Sequence, residues 1–584
     1  MVRRTMLAGL VLVLGWLALA GVACERDAEG EEPASRESSG GASGDEGATK
    51  QGSGAEEELP GEMRPGELKP ESPGPKGRGI FFLGGLKGYL EPCGCTADVL
   101  LGGAERLAGF KGASHNLYSA TLMVDAGDTF FKHRQLEEHV VAQERAKAKV
   151  IAELHQALQT AIMVPGERDF ALGVDFYRER IRRLRAEVLG ANVRLGDKKL
   201  KGATIREVRD WSVGFVGAVQ KSLFDEIEGV EVERADGAIA AQVDKLASKN
   251  VEAVVLVWHG ELNRAKELLE ANPGVDFVVI GHGPRETDQV DRVNNGYTLE
   301  AYDQGRYMGV LKLFGRDHRR PFANARQGSK SEIEKVNRQI EHVAENVEKL
   351  KKKSGEEAPI LGRLEERLAK LKARREKIAG AEVEIDESRR SFLYRSVPMR
   401  PGYPIDQKIK KKRTAYNKRL EELNRKIERE VPPVPEGEAT YIGTNQCAGC
   451  HSAAHEFWKG THHADALATL QNREKAFDQN CIGCHVVGYD KPGGSVLGKL
   501  KYEEKVDGQT ITKDLRNVGC ENCHGPGSKH RSAPVGSDGQ PQYIDRGRGA
   551  STCKQCHVPE HSPKFDYETY VGRVTGQGHP LSPE

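Results

Sequence analysis

Cys447-Ala448-Gly449-Cys450-His451 opens the last quarter of the chain, and the same Cys-x-x-Cys-His spacing follows three more times. The other copies are Cys481-Ile482-Gly483-Cys484-His485, Cys520-Glu521-Asn522-Cys523-His524 and Cys553-Lys554-Gln555-Cys556-His557. Two thiols at this spacing match the two vinyl groups of one haem, and the His that follows can ligate the iron. Because zinc sites do not require a His after every cysteine pair, the repeats predict four covalently bound haem c groups. The proximal iron ligands would be His451, His485, His524 and His557.

Composition narrows the functional classes. The 584-residue chain is long enough for several domains. It has 87 Lys and Arg against 86 Asp and Glu, a balance that gives no argument for a nucleic-acid partner. Eight of its 11 cysteines belong to the four repeats, which leaves Cys24, Cys93 and Cys95. No conventional disulfide framework is therefore expected.

Residues 1–23 have the features of a signal peptide. Arg3 and Arg4 precede an apolar run, residues 7–20, that is short for a membrane span. The run ends in Gly21-Val22-Ala23-Cys24, which resembles the lipobox of bacterial lipoproteins, so Cys24 is the expected lipidation site. An ordinary cleaved signal or an uncleaved anchor is the alternative. In each case we expect the chain to lie on the periplasmic side of a bacterial membrane or in the cell envelope.

Changes in composition divide the rest of the chain into four parts. Residues 24–78 are rich in Gly, Ser, Glu and Pro and predict a disordered tether. In residues 79–316 short β-rich runs alternate with amphipathic helical patterns, which favours an α/β domain. Residues 317–436 have the pattern of long helices, and residues 437–584 hold the four repeats among loops and short helices.

The helical part predicts an antiparallel hairpin. Apolar residues step by three and four positions on both sides of a break at residues 353–359. They are Ile333, Val336, Ile340, Val343, Val347, Leu350, Leu361, Leu364, Leu368, Leu371 and Ile378. The narrow apolar seam is typical of a coiled coil. A spacer or dimerisation arm and a simple packing insert are equal alternatives.

The C-terminal part resembles the tetrahaem cytochrome c-554 family. The resemblance is carried by Thr461-His462-His463-Ala464-Asp465, by the second repeat with Val486-Val487-Gly488-Tyr489, and by the third repeat with Gly525-Pro526-Gly527. It implies three bis-histidine haems and one five-coordinate haem. The implied distal ligands are His463, His530 and His579, and the haem of His485 would keep an open face. His455, His462 and His561 are expected at the surface or beside haem propionates.

Residues 79–316 resemble the metallophosphoesterase fold of the 5'-nucleotidases. The landmarks occur in order at residues 84–92, 102–107, 125–128, 166–170, 190–193, 258–260 and 281–284. The resemblance implies an α/β sandwich with metal ligands at Asp128, Glu167, His259 and His282. Two carboxylates and two imidazoles suit one divalent ion, Zn, Mn or Fe. The alternative is that these side chains pack at strand ends without a metal.

The sequence departs from this family where two-metal catalysis needs ligands. Gly85 and Lys87 occupy the positions of the usual Asp and His in the first motif, and Pro284 replaces a His in the last. Arg168 stands at the position of the catalytic His. Phosphoesterase chemistry should therefore be impaired. Arg168 and Lys87 are candidates for binding an anion.

Glu91-Pro92-Cys93-Gly94-Cys95 lies directly after the altered first motif. Three hypotheses stay open for Cys93 and Cys95. They could act as metal ligands, form a redox-active bond, or be two buried thiols.

Together these features lead us to expect an exported electron-transfer cytochrome that carries a diverged 5'-nucleotidase-like domain. The first alternative is an active metal-dependent phosphoesterase with a cytochrome adjunct, and the second is a non-catalytic docking module at the N-terminus. Whether the chain is an enzyme is left open. The expected partners are redox proteins, a membrane reached through the lipid anchor, and a small phosphorylated or nucleotide ligand.

Overall fold

The computed structural model describes most of the chain after residue 75. The described residues are 76–93, 100–285, 287, 289–315, 320–325, 330–354, 359–379, 388–545, 549–558, 561–562 and 565–575. Three of the predicted site residues, Cys24, Cys95 and His579, lie outside these ranges, as do the signal peptide and nearly all of the tether. Cys93 ends a short strand, and its side chain is not among those described.

Within these ranges, eighteen strands and eight helices precede the C-terminal region. The strands are β1 (Arg78–Leu83), β2 (Pro92–Cys93), β3 (Leu101–Gly102), β4 (Ala120–Asp125), β5 (Thr160–Met163), β6 (Glu187–Val188), β7 (Val193–Leu195), β8 (Lys198–Lys199), β9 (Ala203–Val208), β10 (Trp211–Val219), β11 (Val230–Val232), β12 (Ala253–His259), β13 (Phe277–Ile280), β14 (Arg292–Val293), β15 (Gly296–Glu300), β16 (Tyr307–Phe314), β17 (Ala323–Asn324) and β18 (Ser391–Pro398). The helices are α1 (Ala104–Ala113), α2 (Val141–Ala157), α3 (Gly173–Arg182), α4 (Ala235–Ala247), α5 (Leu262–Ala271), α6 (Lys330–Ser354), α7 (Pro359–Ala379) and α8 (Gln407–Arg425).

Two mixed sheets form the sandwich of the α/β domain. The first sheet has the order β17-β18-β16-β1-β4-β5-β6, and the second has the order β14-β15-β13-β12-β10-β9. Their inner faces share one core, in which Phe277 of the second sheet lies 5.1 Å from Phe392 of the first, measured between ring centroids. Helices α4 and α5 supply apolar residues to a second core on the outer face of the second sheet. In the first sheet β4 runs parallel to β5, and in the second β12 runs parallel to β13, so the carboxyl ends within each pair face the same edge.

Strand β18 was not anticipated from the sequence. It lies within the part predicted to be helical, yet it pairs antiparallel with β16 from Tyr307↔Pro398 to Phe314↔Ser391. Phe392 and Tyr394 are buried in the shared core. Its inner side chains therefore extend the apolar face of the first sheet.

Helices α6 and α7 form the antiparallel hairpin that the periodicity predicts. Lys351 pairs with Glu365 at 2.9 Å near the connection, and Arg375 donates to Asn337 over 2.9 Å nearer the open end. Val336, Val343 and Leu361 are each at most 4% exposed, so these members of the predicted seam are buried between the helices. After β18, helix α8 packs against α1 and α2.

The C-terminal region, residues 440–575, consists of short helices and one hairpin of two strands. Its helices are α9 (Thr444–Cys447), α10 (Ser452–Lys459), α11 (Ala466–Gln471), α12 (Gln479–Ile482), α13 (Cys520–His524), α14 (Ser528–Ser532), α15 (Ala550–Cys553) and α16 (Tyr567–Val571). The strands are β19 (Lys501–Val506) and β20 (Gln509–Asp514). Across the described ranges, no helix combines the length and apolar character needed to span a bilayer.

Candidate functional sites

The two sheets of the α/β domain bring four predicted metal ligands together at their carboxyl edges. Asp128 follows β4 and Glu167 follows β5, whereas His259 ends β12 and His282 follows β13. One ligand atom of each side chain lies within 4.8 Å of the others. Each sheet therefore contributes two ligands to one cluster, at the position where parallel strands usually hold their sites.

The contacts within this cluster are short and buried. His259 Nε2 lies 2.7 Å from Glu167 Oε2 and 3.6 Å from Asp128 Oδ1. His282 Nδ1 lies 3.4 Å from Glu167 Oε1. Asp128 and His259 are fully buried and Glu167 is nearly so. Two carboxylates and two imidazoles at these distances fit a divalent cation.

Backbone groups fix the orientation of His259. Its Nδ1–H donates to the Ala126 carbonyl over 2.7 Å, which leaves Nε2 directed at the carboxylates. A Cβ atom at Gly127 would lie 2.5 Å from His259 Nδ1, and Gly127 has a φ of 97°. Only glycine allows the loop after β4 to pass so close to the imidazole.

The cluster strongly perturbs its own pKa values. Burial raises the pKa of Asp128, and the charge of Glu167 adds to this effect against the opposing charges of His259 and Arg168. Burial also acts to raise the pKa of Glu167, but hydrogen bonds and charges from the two imidazoles outweigh it and lower that pKa. For His259, burial is outweighed by Asp128 and Glu167, so its pKa rises to about 9. The carboxylates thus stabilise positive charge within the cluster, which His259 or a bound cation can carry.

Arg168 and Lys87 both have carboxylate partners. Arg168 Nε lies 3.1 Å from Asp128 Oδ2, and its Nη1 donates to the Lys132 carbonyl over 2.7 Å. Lys87 pairs instead with Asp303. Of the two candidate anion-binding residues, Arg168 therefore borders the metal cluster, and its guanidinium already neutralises one of the carboxylates.

Asp169 is a site residue to which the sequence analysis gave no role. Its carboxylate accepts hydrogen bonds from the backbone N–H groups of Thr129, Phe130 and Gly166, at 2.7, 2.9 and 2.9 Å. It thereby ties the loop of Asp128 to the loop of Glu167. Burial and the charge of Asp128 raise its pKa to about 8. The sequence contained one signal for this role. Asp169 stands three positions after Gly166, and an acidic residue at this spacing often accepts a hydrogen bond from the backbone N–H at the start of a helical turn.

In the C-terminal region the structure brings two predicted distal histidines opposite proximal ones. The rings of His451 and His530 have centroids 6.2 Å apart and planes inclined by 22°. The rings of His463 and His557 are also 6.2 Å apart, inclined by 42°. Metal–nitrogen bonds of about 2 Å on both sides of one iron place two imidazole centroids roughly 6 Å apart. Both pairs therefore have the spacing of bis-histidine iron ligation.

The other ring nitrogen of several of these histidines is held by a hydrogen bond. In each case the acceptor is a backbone carbonyl. His485 Nδ1 donates to that of Ala466 over 2.6 Å, His524 Nδ1 donates to that of Asp545 over 2.7 Å, and His530 Nδ1 donates to that of Gln542 over 2.9 Å. These bonds fix the tautomer and leave Nε2 available to a metal.

Among the described residues, the eight cysteines of the repeats form no disulfide with one another. The neighbouring Cys520 thiol raises the pKa of Cys447, and the neighbouring Cys484 thiol raises the pKa of Cys556. Burial raises the pKa of Cys523, and the neighbouring Cys553 thiol adds to this effect. The first repeat therefore lies near the third, the third near the fourth, and the fourth near the second. The residues present fit covalent attachment of haem c.

The three histidines without an assigned iron lie in different settings. His455 is buried, and its ring centroid lies 5.5 Å from that of Trp458. It therefore does not lie at the surface, which was one of the two positions expected for it. His462 lies in a short 3-10 turn before α11. His561 is half-buried, and burial together with the positive charges of Lys132 and Arg306 lowers its pKa to about 4.

Comparisons with known proteins match the C-terminal part of the chain to one family. Residues 446–525 match the family described as cytochrome c554 and c-prime. Cytochrome c-554 of Nitrosomonas europaea is 33% identical over 109 residues, which are 16% of this chain and 42% of the relative. The chain thus spans less than half of that relative's length. These matches confirm the resemblance of the C-terminal region to the cytochrome c-554 family.

Solved structures similar to the chain include the kinds of protein that the N-terminal motifs predict. A 5'-nucleotidase precursor of Thermus thermophilus has a TM-score of 0.41 and 13% identity, and the likeness covers 75% of this chain and 87% of that one. The calcineurin-like phosphoesterase YfkN of Bacillus subtilis has a TM-score of 0.35 and 20% identity over 42% of this chain and 87% of its own. At these scores the likeness gives no support to a shared activity.

Proposed function

We propose that this protein is an exported multihaem c-type cytochrome that transfers electrons and carries a diverged 5'-nucleotidase-like domain. The observation that carries the proposal is the pair of histidine couples, His451 with His530 and His463 with His557, each at a centroid distance of 6.2 Å. Each couple includes the His of a Cys-x-x-Cys-His repeat. Such ligation fills both axial positions, which favours electron transfer over binding of small molecules.

The proposal gives each part of the chain a role. Residues 1–23 direct export, Cys24 receives a lipid, and residues 24–78 tether the folded part to a membrane. Residues 79–316 form the 5'-nucleotidase-like domain, residues 317–436 the spacer, and residues 437–584 the tetrahaem domain. Strand β18 adds to the sheet of the 5'-nucleotidase-like domain from within the spacer.

Four haem c groups would supply iron that alternates between two oxidation states. The eight cysteines would anchor them, and the hydrogen-bonded proximal histidines would hold their rings in place. His579 is proposed as the distal ligand opposite His524, and His485 is proposed to face an open coordination position. Because neighbouring repeats follow one another in a series, electrons could pass along the array to a redox partner protein on the periplasmic side.

Haem content and spin state test this proposal. Purified full-length protein should contain four haem c groups by pyridine haemochrome and mass analysis. The oxidised spectrum should combine low-spin haems with one high-spin haem. Absence of covalent haem would refute the function, and an entirely low-spin spectrum would refute the open position at His485.

A second function is favoured by the buried cluster at the sheet edges. Asp128, Glu167, His259 and His282 would hold one divalent ion, which could polarise a phosphate ester or nucleotide. The second ion of a two-metal mechanism has no counterpart in this cluster, because Arg168 occupies the space beside Asp128. We therefore propose weak or lost hydrolysis, with a docking role for the domain as the alternative.

Hydrolysis assays distinguish these alternatives. Haem-loaded protein should be tested on nucleotides and aryl phosphates with Mn, with Zn and without metal. Turnover that depends on metal and is lost in His259→Ala would establish a phosphoesterase. No turnover under any condition would leave a redox or docking role and direct attention to Cys93 and Cys95, whose part in metal or redox chemistry is still a prediction.

A further inference from the structure

A buried ionic group joins the second Cys-x-x-Cys-His repeat to the α/β domain. Lys475 Nζ lies 3.1 Å from Asp478 Oδ2 in the C-terminal region and 3.2 Å from Glu91 Oε1 in the α/β domain. The Lys475 side chain is 9% exposed, and that of Glu91 is 29% exposed. One lysine therefore bridges an anion from each side of the interface.

Amide side chains surround this ionic group and complete the interface. Gln143 donates to Asp478 Oδ1 over 2.8 Å, and its own carbonyl accepts from Asn424 over 2.9 Å. The Gln479 backbone N–H donates to the same Gln143 oxygen over 3.2 Å. Because these partners are buried and mutually bonded, the second repeat is held in one position on helices α2 and α8.

Glu91 is fixed on the α/β side. Arg413 Nη1 lies 2.6 Å from its Oε2, and Asn417 donates to its Oε1 over 2.9 Å. Burial acts to raise the pKa of Glu91, but Lys475 and Arg413 outweigh it and lower that pKa. Glu91 is therefore a fixed negative charge at neutral pH.

These charges reach the sulfur that would hold a haem. Asp478 accepts from the Asn480 backbone N–H at the start of α12, the helix that contains Cys481. Burial raises the pKa of the Cys481 thiol, Asp478 and Glu91 raise it further, and Lys475 opposes them. The thiol of Cys481 thus lies in the electric field of a residue from the α/β domain.

We propose that Lys475 and Glu91, facing each other across the interface, set the reduction potential of the haem that Cys481 and Cys484 would attach. A fixed cation near a haem stabilises the reduced form, which carries one more electron, and so raises its potential. A fixed anion has the opposite effect. The α/β domain thereby tunes one haem of the four, an inference that rests on the proposed electron-transfer function.

The test is a haem-resolved redox titration of the full-length, haem-loaded protein. Lys475→Met should lower the midpoint potential of one haem, and Glu91→Gln should raise the potential of that same haem. Lys412→Met is the matched control, since Lys412 lies on α8 with its side chain 46% exposed, paired to Glu153. In a Cys481→Ala/Cys484→Ala background, neither substitution should shift any remaining potential.

Opposite shifts confined to one haem support the inference, because loosened packing alone would move both variants in the same direction. Shifts of the same sign, shifts spread over all four haems, or no shift would overturn it. Should Lys475→Met fail to fold, Glu91→Gln decides by itself: one raised potential supports the inference, and unchanged potentials contradict it. A protein without covalent haem would instead refute the proposed function.

Discussion

The α/β domain and the C-terminal region complete their sites in opposite ways. In the α/β domain two large apolar cores hold the site, and a protein side chain, Arg168, fills the space beside the remaining carboxylates. In the C-terminal region the described apolar clusters contain only five and three buried residues. There the two rings of each histidine couple have centroids 6.2 Å apart, which is the spacing that an iron ligated by both rings would require.

The difference shows where each region obtains its stability. A sandwich that buries its own apolar faces can lose metal ligands during divergence and still fold. A region of short helices with a small core cannot bury enough apolar surface by itself and depends on the groups that it binds.

The largest difference in stability between the two regions is expected when the chain is produced without haem attachment. We expect residues 440–575 to become sensitive to protease while the α/β domain keeps a cooperative thermal transition. Limited proteolysis followed by mass spectrometry measures this, with the haem-loaded protein as control. A protected C-terminal region in the haem-free chain would contradict the contrast.

Loss of one carboxylate should abolish metal binding in the α/β domain without unfolding it. We expect about one divalent ion in the parent protein and essentially none in Asp128→Ala, because Asp128 is one of the four proposed ligands of a single site. Metal analysis by mass spectrometry measures this, with Asp175→Ala as control, since the Asp175 side chain on α3 is 98% exposed. An unchanged metal content in Asp128→Ala would show that the cluster is not the site.

Removal of one distal histidine should change a single haem. His530→Ala leaves His451 without its partner ring, so one low-spin haem should become high-spin. Electron paramagnetic resonance measures the fraction of haem that is high-spin. The control His462→Ala should leave this fraction unchanged. A low-spin signal unaltered in His530→Ala would assign the sixth ligand of that iron to another residue.

The interface should depend on pH in a defined direction. The folded-state pKa values of Glu91 and Asp478 are lowered, since their cationic partners outweigh burial. Their contribution is therefore present above their ordinary pKa values near 4 and is lost as the pH falls below them. Lys475→Met should reduce the free energy of unfolding by about 3 kcal/mol at pH 7.

Chemical denaturation of the parent and of Lys475→Met at several pH values measures this effect. The difference between the two proteins should shrink below pH ~4, where protonated carboxylates no longer need the lysine. If the difference in the free energy of unfolding between the two proteins stays constant down to pH ~3, the ionic group contributes little to that difference.

The parts of the fold with local signals could be predicted from sequence. The hairpin α6–α7 followed from apolar spacing, and the alternation of β-rich and helical segments indicated an α/β domain. Strand β18 was missed because its pairing partner, β16, lies on the far side of the hairpin in sequence. Its pattern, with Phe392 and Tyr394 pointing inward, becomes meaningful only beside that strand.

The residues of the candidate sites likewise fall into those with a local sequence signal and those that depend on tertiary contacts. Attachment cysteines and proximal histidines follow from a fixed local spacing, whereas the partner of each histidine depends on tertiary contacts between distant segments. The sequence also suggested Asp128, Glu167, His259 and His282, and the structure brings them together. The interface of Glu91 with Lys475 had no sequence signal, because polar residues become an ionic group only when two folded regions meet.

The position of the hairpin between β17 and β18 has a consequence for the evolution and engineering of this chain. Its two ends enter and leave the same sheet at adjacent strands, so the hairpin is an insertion that the sandwich tolerates. With 25 residues in α6, the arm is about 37 Å long at 1.5 Å per residue. Because β17 and β18 run parallel, the segment between them has to cross from the end of one strand back to the start of the other, and a tight turn could not replace it. A shorter crossover of sufficient reach would leave the sheet intact, so the length of this arm is exchangeable whereas its crossover path is not.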